Sequence, residues 1–238
     1  MQYNFSFKDI DDLEFKLSES NSNYIVNGIK VPRVTTVISN MIHEEALMDW
    51  ANAMGYRHKR YDKILHEACK YGTRTHHGIE VFLKENRIDE HAPQHSLNAF
   101  ISWWNNLISQ NTVQILGQEI PVVCQYYGGT YDLLVSINGE PWLVDFKTSN
   151  HVTYKYFLQL AAYNKVIRDE QKLNLRGAVI LQLSKEAPIY TEYVLDFMNP
   201  NHKAYIENCE KAFMSLLYSY YHIKYLEGEF KNVVEKKE

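Results

Sequence analysis

Cysteine is scarce in this chain, which has three cysteines among its 238 residues. Cys69, Cys124 and Cys209 are widely spaced, odd in number and without the close pairing typical of cysteine metal ligands. The sequence therefore argues against a disulfide framework and against an iron–sulfur cluster. We interpret the three residues as buried thiols.

Long hydrophobic runs are also missing. No stretch of about 18 consecutive apolar residues occurs, which argues against a transmembrane helix. Residues 1–12 mix polar and acidic side chains, whereas a secretion signal begins with basic residues followed by an apolar segment. We therefore expect a soluble protein that stays inside the cell, in the cytoplasm.

A large net charge of either sign is absent. The formal net charge is -4, which provides no overall attraction to a polyanion and weighs mildly against nucleic acid as the partner. Basic residues can still be placed locally. The candidate positions are Arg57, Lys59, Arg60, Lys63, Arg74, Lys155, Arg168, Lys172 and Arg176. Most such residues belong to a solvated surface.

Repeats, linkers and low-complexity segments are absent as well. Hydrophobic residues make up 45% of the sequence, which suffices for one hydrophobic core in a chain of this length. We expect a single domain over residues 1–238. Its parts are a mainly helical region 1–110, a sheet-and-helix region 111–200, a closing helix 201–228 and a charged tail 229–238.

The spacing of apolar residues divides the chain into helices and strands. Residues 14–31 predict a short hairpin turning at Asn27-Gly28, and the Thr35-Thr36 pair is placed to cap a short helix. Helical periodicity covers residues 44–86, with a break near Gly55. The remaining predicted elements, in order, are a helix at 96–110, strands at 113–125, 127–137 and 141–147, a helix at 153–170, strands at 177–183 and 189–195, and a helix at 202–227.

This order of elements indicates an α/β fold. Helices come first, then three strands, a helix, two strands and a final helix, which suits a central mixed β-sheet flanked by helices, with a helical N-terminal half. Pro121 cannot donate a hydrogen bond in a sheet ladder, so we expect the first of the three strands to lie at an edge or to be irregular there.

The strongest local signal is the dipeptide Asn138-Gly139, which lies between two segments of alternating apolar residues. Asn-Gly tolerates the positive φ angles of a type I′ turn, so the segments should form a two-residue β-hairpin. Asp132 and Asp145 lie at equal distances from the turn and would face each other directly, whereas a loop of three or five residues would break this register. Alternation then assigns one face of the hairpin to the core. The opposite face would carry Thr130, Asp132, Asp145 and Lys147.

Two carboxylates this close require an explanation. At about 4 Å they repel by roughly 4 kcal/mol, even at an effective dielectric constant of 20. Either one of them is protonated or a cation lies between them. A divalent cation is the better explanation, because hard ions prefer carboxylate oxygens. The alternative interpretation is a hairpin whose acids point into water.

The end of the second strand supports a metal site. Asp145 and Lys147 lie on one face of that strand, about 6.6 Å apart, with the carbonyl group of Phe146 between them. This spacing allows the carboxylate to hold a metal while the ammonium group reaches the water bound to it. Glu119, on the preceding strand, could support the site as a further acid.

Asp132 followed by Asp145-Phe146-Lys147 resembles the signature of PD-(D/E)xK nucleases. Further segments are similar to those of the RecB-like exonucleases within that superfamily, and they follow in the family's order. They are Gly72-Thr73-Arg74-Thr75-His76 with Glu80, Gly129-Thr130-Tyr131-Asp132, Asp145-Phe146-Lys147-Thr148-Ser149, and Gln159-Leu160-Ala161-Ala162-Tyr163. Upstream, residues 32–38 are similar to the Pro-Ser-Val-Thr-Thr segment of phage exonucleases and of the mitochondrial genome maintenance exonuclease, with Arg33 in place of the serine.

The resemblance implies a restriction-endonuclease-like core and a DNA exonuclease that depends on Mg²⁺ or Mn²⁺. By the same resemblance, the metal ligands are His76, Asp132, Asp145 and the backbone carbonyl of Phe146. The residues it assigns to catalysis are Asp132, Asp145, Lys147, Gln159 and Tyr163. Within this set, Gln159 would orient Lys147 or the water, and Tyr163 would contact a phosphate or a base. The supporting candidates are Glu80, Glu119 and Thr148, and the candidates for nucleic-acid binding are Arg74 and Lys155.

The implied partner is single-stranded DNA or DNA ends, and the similarity to phage exonucleases suggests a phage-encoded protein in a bacterial host. Two alternatives stay open. One is a structure-specific endonuclease or flap nuclease with the same site, since these differ only in how loops and helices admit DNA. The other is a nucleic-acid-binding module that keeps the nuclease fold without turnover, although a pure binder has no need of opposed acids.

Overall fold

The computed structural model describes residues 15–17, 23–43, 45–58 and 60–234. Its elements, in chain order, are β1 (Phe15–Leu17), β2 (Asn23–Val26), β3 (Ile29–Pro32), α1 (Val34–Met41), α2 (Glu45–Tyr56), α3 (Tyr61–Glu85), α4 (Gln94–Gln110), β4 (Val113–Val123), β5 (Gly128–Ile137), β6 (Glu140–Lys147), α5 (Tyr154–Glu170), β7 (Gly177–Leu183), β8 (Tyr190–Asp196) and α6 (Pro200–Val234). Within the described ranges, no helix is both long enough and apolar enough to span a lipid bilayer.

Five strands form the central sheet, in the order β4-β5-β6-β7-β8. All neighbouring strands are antiparallel except β6 and β7, which α5 connects. A parallel pair needs such a crossover, because a tight turn reverses the chain direction. The sheet is mixed and the N-terminal half is mainly helical, as the order of elements predicted. Pro121 lies in β4, at the edge of the sheet.

Helices cover both faces of this sheet. On one face, Leu134 and Leu143 are buried in a cluster with residues of α5 and α6. On the other face, Leu133 and Val144 are buried in a cluster with residues of α3 and α4. The prediction that one face of the β5–β6 hairpin is core while the other carries only chemistry is therefore wrong. The face that carries the acids is itself covered, because α5 and α6 pack on it.

The three-stranded sheet β1-β2-β3 contacts the start of β5. The hydroxyl group of Tyr24, in β2, donates a hydrogen bond to the carbonyl oxygen of Gly129 (2.9 Å) and lies 2.9 Å from the hydroxyl oxygen of Thr130. Tyr24 is fully buried. The predicted hairpin at Asn27-Gly28, whose φ angles are +47° and +78°, thus anchors the strand that carries Asp132.

The break predicted near Gly55 is confirmed, because α2 ends at Tyr56 and α3 begins at Tyr61, whereas two other boundaries differ. The N-cap of α1 is Arg33, so the Thr35-Thr36 pair lies inside the first turn and caps nothing. α6 continues to Val234, through part of the predicted charged tail.

The cysteines are not all buried. Cys124 and Cys209 are buried, as predicted, whereas Cys69 is exposed. The prediction for Cys69 is wrong because this residue lies on the solvent side of α3, whose other side packs on the sheet through Ile79. Residues 1–12, residue 14, Lys59 and residues 235–238 lie outside the described residues, and what was predicted for them stays a prediction.

Candidate metal centre

The β5–β6 hairpin has the geometry that its sequence predicted. The Asn138-Gly139 turn has φ angles of +52° and +90°, the positive values of a type I′ turn. Strand pairing runs from this turn to Leu133, which lies opposite Val144. Continued by one residue, the register brings Asp132, in the middle of β5, opposite Asp145, near the end of β6.

A side-chain hydrogen bond takes the place of the next backbone pairing. The N–H group of Phe146 donates to Oδ2 of Asp132 at 2.6 Å. Charge-assisted hydrogen bonds of this kind are short and strong. The bond fixes the Asp132 carboxylate beside Phe146, whose carbonyl oxygen is a predicted metal ligand.

Glu119 lies on the other side of Asp132. The paired residues before and after it in the β4–β5 register place Glu119 opposite Asp132. Its φ angle is +51°, a left-handed conformation that costs a non-glycine residue about 1–3 kcal/mol. Three acids on three adjacent strands, Glu119, Asp132 and Asp145, thus form one row across the sheet, which we call the acid row.

His76 projects from α3 toward the acid row. Its Nδ1 atom lies 3.3 Å from Oδ1 of Asp132 and 3.7 Å from Oε1 of Glu119. Its Nε2 atom lies 3.2 Å from the carbonyl oxygen of Phe146, and the two rings pack edge to face. His76, Glu119 and Asp132 each offer one ligand atom, and these three atoms all lie within 4.8 Å of one another.

The charges around His76 favour its protonated form. Burial alone would lower the pKa of His76, but the negative charge of Asp132 and hydrogen bonds to Asp132 and Glu119 raise it to about 10. Burial would raise the pKa of Asp132, and the positive charge of His76 instead brings it below its ordinary value. The raised pKa favours a protonated His76, whose two ring nitrogens lie beside the oxygens of Asp132 and Phe146.

Asp145 belongs to a neighbouring set of contacts, with Lys147 and Gln159. Oδ2 of Asp145 lies 2.6 Å from Nζ of Lys147, and Oδ1 accepts a hydrogen bond from Nε2 of Gln159 at 3.1 Å. Nζ of Lys147 in turn donates to Oε1 of Gln159 at 3.3 Å. Gln159 therefore holds both charged groups, which agrees with its predicted role in orienting Lys147.

Burial leaves Asp145 incompletely satisfied. The residue is 2% exposed, and burial raises its pKa to about 6 although the charge of Lys147 favours the ionised form. The ammonium group approaches Oδ2 closely but outside the direction of a hydrogen bond, so Oδ2 has no hydrogen-bond partner among the described residues. Oδ2 is therefore neutralised by the charge of Lys147 and not by a directed hydrogen bond.

Lys147 keeps its positive charge in these surroundings. Burial would lower the pKa of Lys147, but the charges of Asp145 and Asp132 raise it above the ordinary lysine value. Its Nζ atom also lies over the ring of Tyr156, 4.8 Å from the ring centroid. The ammonium group is thus held from three sides by Asp145, Gln159 and Tyr156.

Tyr163 does not reach the surface. It is 3% exposed, and its hydroxyl oxygen accepts a hydrogen bond from Nε2 of Gln159 at 3.1 Å. A Cβ atom on Gly129 would lie 2.3 Å from the Tyr163 ring, so glycine is required there for the two residues to pack. A ring buried to this degree is not available to a phosphate or a base, and the structure does not support that predicted contact. Tyr163 instead supports Gln159 from behind.

Two other predicted residues have partners away from the acid row. Glu80 accepts a hydrogen bond from Lys84 at 2.6 Å and lies 3.8 Å from Nδ1 of His77, so its carboxylate is not part of the ligand group around His76. Nζ of Lys155 donates to the carbonyl oxygen of Ile42, just after α1, at 2.9 Å. That bond satisfies a backbone group at a helix end.

Thr148 and Arg74 flank the site on opposite sides. Thr148 directly follows Lys147 and is buried, and its Oγ1 atom would be 3.5 Å from a Cβ atom on Gly72, so it packs the end of β6 against α3. Arg74 lies on the exposed side of α3, two residues before His76. Their supporting and nucleic-acid-binding roles stay predictions.

The donor set fits a hard divalent cation. It combines an imidazole nitrogen with two carboxylates. The carboxylates lie near Nδ1 of His76 and the carbonyl oxygen of Phe146 lies near Nε2, so the role of this carbonyl as a ligand of the same ion stays a prediction. Oxygen ligands suit Mg²⁺ and Mn²⁺, and Mn²⁺ also accepts imidazole. Burial lowers the pKa of His76, but the charge of Asp132 and hydrogen bonds to Asp132 and Glu119 together raise it by more, which indicates that this place favours positive charge. A single ion between Asp132 and Asp145 stays a prediction, because Asp145 is directed toward Lys147.

Glu119, which the sequence indicates only as a supporting acid, is one of the three residues that could hold a metal ion in the structure. The turn at residues 124–127 is closed by a hydrogen bond from the N–H of Cys124 to the carbonyl oxygen of Tyr127 (2.9 Å). Counting outward from this turn, as from Asn138-Gly139, places Glu119 opposite Asp132. The two central residues of this turn, Gln125 and Tyr126, are not of types that favour turns. The sequence alone therefore does not show between which residues the chain reverses, or which residues of the two strands are opposite each other.

Comparison with known proteins adds no relative. No protein-family model matches the chain, and no curated protein matches it. The interpretation of this site therefore rests on its own residues and their geometry, together with the resemblance of short segments.

Proposed function

We propose that this protein is a metal-dependent DNA exonuclease, which hydrolyses phosphodiester bonds from DNA ends or on single strands. The observation that carries the proposal is the acid row across β4, β5 and β6, with His76 beside Asp132 and Lys147 beside Asp145. The ordered segments that resemble RecB-like exonucleases support DNA as the substrate.

His76, Glu119 and Asp132 are the residues that would hold Mg²⁺ or Mn²⁺, together with the carbonyl oxygen of Phe146. When bound, such an ion polarises the scissile phosphate and lowers the pKa of a water molecule. The backbone bond from Phe146 to Asp132 keeps two of these groups in place before any ion binds. Preorganisation of this kind is what a metal site needs for tight and selective binding.

Lys147 supplies positive charge from the protein itself. Its side chain is 16% exposed, so the residue is mostly but not completely buried. Asp145 and Gln159 direct it, which places it to donate a hydrogen bond to a phosphate oxygen or to orient the attacking water. A donor fixed in this way stabilises the negative charge that develops in the transition state.

The test compares Asp145→Asn with Asp169→Asn. Each aspartate lies 2.6 Å from a lysine Nζ atom, but Asp169 belongs to a network between α5 and α6. With Mn²⁺ and end-labelled single- and double-stranded DNA, we expect cleavage by the wild type and by Asp169→Asn. Cleavage by Asp145→Asn should be slower by at least about 100-fold, the usual effect of removing a preorganised charge. All three proteins should shift DNA equally on a gel.

Three results would contradict the proposal, each in a different way. A wild-type protein that shifts DNA but leaves it uncut with Mn²⁺ or Mg²⁺ is a binding module. A wild type that cleaves circular and linear single strands at equal rates is an endonuclease. If Asp145→Asn cleaves DNA at the wild-type rate, the reaction takes place elsewhere than at the acid row.

A further inference from the structure

We infer that one exposed face of α3 binds single-stranded DNA and leads it to the acid row. The side chains of this face, which we call the α3 polar face, are Lys63, His66, Lys70, Arg74 and His77. The inference rests on the proposed function, since it names the path taken by the substrate of that site.

Helical spacing places these side chains on one side of α3. Successive members are three or four residues apart, so they follow one another along the helix axis. From Lys63 to His77 the line is about 21 Å long, at 1.5 Å per residue. All its members are exposed, whereas Thr75 and Ile79 point to other sides of the helix and are buried.

The positive charge of the α3 polar face is only partly neutralised. In the described part of the chain, no carboxylate pairs with Lys63 or Arg74, and Lys70 has one partner, Glu67, at 3.3 Å between two exposed side chains. By contrast, Arg168 binds Glu210 through two nitrogens. An exposed row of cations with few partners is complementary to a phosphate backbone, and this holds although the whole chain is acidic.

A groove lies along the middle of this face. Its volume is about 500 Å³, and it is lined by His66, Glu67, Cys69, Lys70, Thr73 and Arg74. Lys70 and Arg74 are four residues apart and therefore adjacent on the helix surface. Two phosphates of a strand lying in the groove can each meet one of these cations.

Two exposed tyrosines lie at the far end of the α3 polar face. Tyr56, the last residue of α2, is 88% exposed, and Tyr61, the first residue of α3, is 49% exposed. Unpaired bases stack on such rings, with about 1–3 kcal/mol per base. Bases of a duplex are already stacked and paired, so exposed rings beside cations favour a single strand.

The near end of the α3 polar face meets the candidate metal centre. Arg74 and His77 lie within one helical turn of His76, whose ring contacts Asp132. A strand bound along this face therefore arrives at the acid row while still in contact with α3. Its backbone would enter the site from the side of His76 and Glu119.

The test measures the affinity of a fluorescent oligothymidylate over a range of salt concentrations, in EDTA to prevent cleavage. The double variant Lys70→Gln, Arg74→Gln removes two charges from the α3 polar face. The matched control Lys203→Gln, Lys211→Gln removes two exposed charges from α6, which packs on the other face of the sheet. The slope of log affinity against log salt should fall by about 1.4 in the first variant, since each single-strand phosphate contributes about 0.7, and stay unchanged in the control.

A second variant tests the stacking part of the inference. Tyr56→Ala should weaken oligothymidylate binding by about tenfold without changing the salt slope, because it removes an aromatic surface and no charge. Tight binding of a blunt duplex by the wild type, with no effect of Tyr56→Ala, would overturn the preference for single strands.

An unchanged slope in the Lys70→Gln, Arg74→Gln variant, or an equal fall in both double variants, overturns the inference. Cleavage of DNA by the wild type with Mn²⁺ is measured separately. If the wild type cleaves DNA and the salt slopes of the two double variants do not differ, the α3 polar face does not bind the strand, while the proposed function stands. If the slopes differ as expected and the wild type never cleaves, the proposed function is wrong while the binding face stands.

Discussion

Two lysine–aspartate pairs in this protein have the same separation and different surroundings. Nζ of Lys147 lies 2.6 Å from Oδ2 of Asp145, and Nζ of Lys165 lies 2.6 Å from Oδ2 of Asp169. Both lysines are largely buried, with 16% and 13% of their side chains exposed. Distance and the burial of the lysines therefore do not distinguish the two pairs. The burial of the aspartates does, since 2% of the Asp145 side chain and 24% of the Asp169 side chain are exposed, and so do the charges around them.

The pair on α5 lies in a balanced network. Arg168 donates to both carboxylate oxygens of Glu210 at 3.0 Å and to Asp169 at 2.9 Å, and Lys165 faces the same two acids, so two cations meet two carboxylates. Burial would raise the pKa of Asp169, but hydrogen bonds from Lys165 and Arg168 bring it below its ordinary value. Such a network stabilises the folded chain at neutral pH and leaves no charge for a further cation to neutralise.

The acid row is not balanced. Its three carboxylates lie beside one lysine, and His76 must bind a proton to add a second positive charge. Burial raises the pKa of Asp145 to about 6 even with Lys147 beside it, the opposite direction to Asp169. Buried groups with shifts of this kind concentrate where function needs them. The burial of the carboxylate, and not the length of the ion pair, thus separates Asp145 from Asp169.

Replacement of each lysine by methionine should give the largest contrast. Lys147→Met should lower the rate of DNA cleavage by about 1000-fold, because a preorganised cation is lost from the transition state. Lys165→Met should change the rate by less than about threefold and lower the melting temperature by a few degrees, the effect of losing about 1 kcal/mol of stability. Rates come from end-labelled single strands and melting temperatures from circular dichroism. Similar cleavage rates in the two variants would show that Lys147, like Lys165, has only a structural role.

Manganese should stabilise the protein through the acid row alone. A ligand at 100 times its Kd adds about 2.7 kcal/mol, which raises the melting temperature of a chain of this length by about 5–10 °C. We expect this shift in the wild type and in Asp169→Asn, and the loss of most of it in Asp132→Asn and His76→Ala. Scanning fluorimetry with Mn²⁺, and again after EDTA, measures it. A full shift in Asp132→Asn would place the ion elsewhere.

The fold could be predicted from the sequence because its main signals are local. Asn27-Gly28 and Asn138-Gly139 define two hairpins, and both dipeptides have the positive φ angles that Asn-Gly predicts. The order of helices and strands indicated a mixed sheet flanked by helices, which the structure has, with β6 and β7 as its parallel pair. Element ends were less predictable: α6 continues to Val234, beyond the predicted end at residue 227, because glutamate and lysine, which occur there, are also good helix formers.

The candidate site could be predicted where strand register decides it, and not where tertiary packing does. Asp132 and Asp145 follow from counting outward from a two-residue turn. The left-handed backbone at Glu119 is set by the sheet and leaves no trace in the local sequence. The same holds for the burial of Tyr163 and for the bond of Lys155 to a carbonyl group 113 residues away.

Glu119→Gly should strengthen folding and weaken metal binding. At a φ of +51°, glycine has no steric penalty, and the change also removes one negative charge from the acid row. We expect the free energy of unfolding without metal to rise by about 1 kcal/mol and the affinity for Mn²⁺ to fall by at least about tenfold. Glu119→Gln should lose the same affinity and gain less stability, because its backbone stays strained. Urea titration in EDTA and calorimetric Mn²⁺ titration provide the two values. Equal stability of the two variants would show that the backbone at position 119 is unstrained.

The smallest expected effect is on stability at acid pH. The folded-state pKa of Asp169 lies below the ordinary value of 3.8, so its stabilising effect is fully present above that value and is lost as the pH falls through the lowered pKa. The wild type should therefore exceed Asp169→Asn by less than about 1 kcal/mol at neutral pH, a modest figure because the side chain is partly exposed. This gap should stay constant down to about pH 5 and close below about pH 4.

The pKa of Asp145 is shifted in the opposite direction from that of Asp169. The dependence of stability on pH therefore tests the difference between the two ion pairs directly. The folded-state pKa of Asp145 is raised to about 6 from 3.8, so its ionisation destabilises the fold above pH 6, and that cost is absent below about pH 4. As the pH falls from 6 to 4, the wild type should gain stability relative to Asp145→Asn while its margin over Asp169→Asn does not change. Thermal unfolding of the three proteins in EDTA between about pH 3 and 8 follows both margins. The stability difference between the wild type and Asp169→Asn could instead disappear near pH 6, or the difference from Asp145→Asn could stay constant between about pH 6 and 4. Either result would show that the two ion pairs are alike and that the acid row has no excess of negative charge.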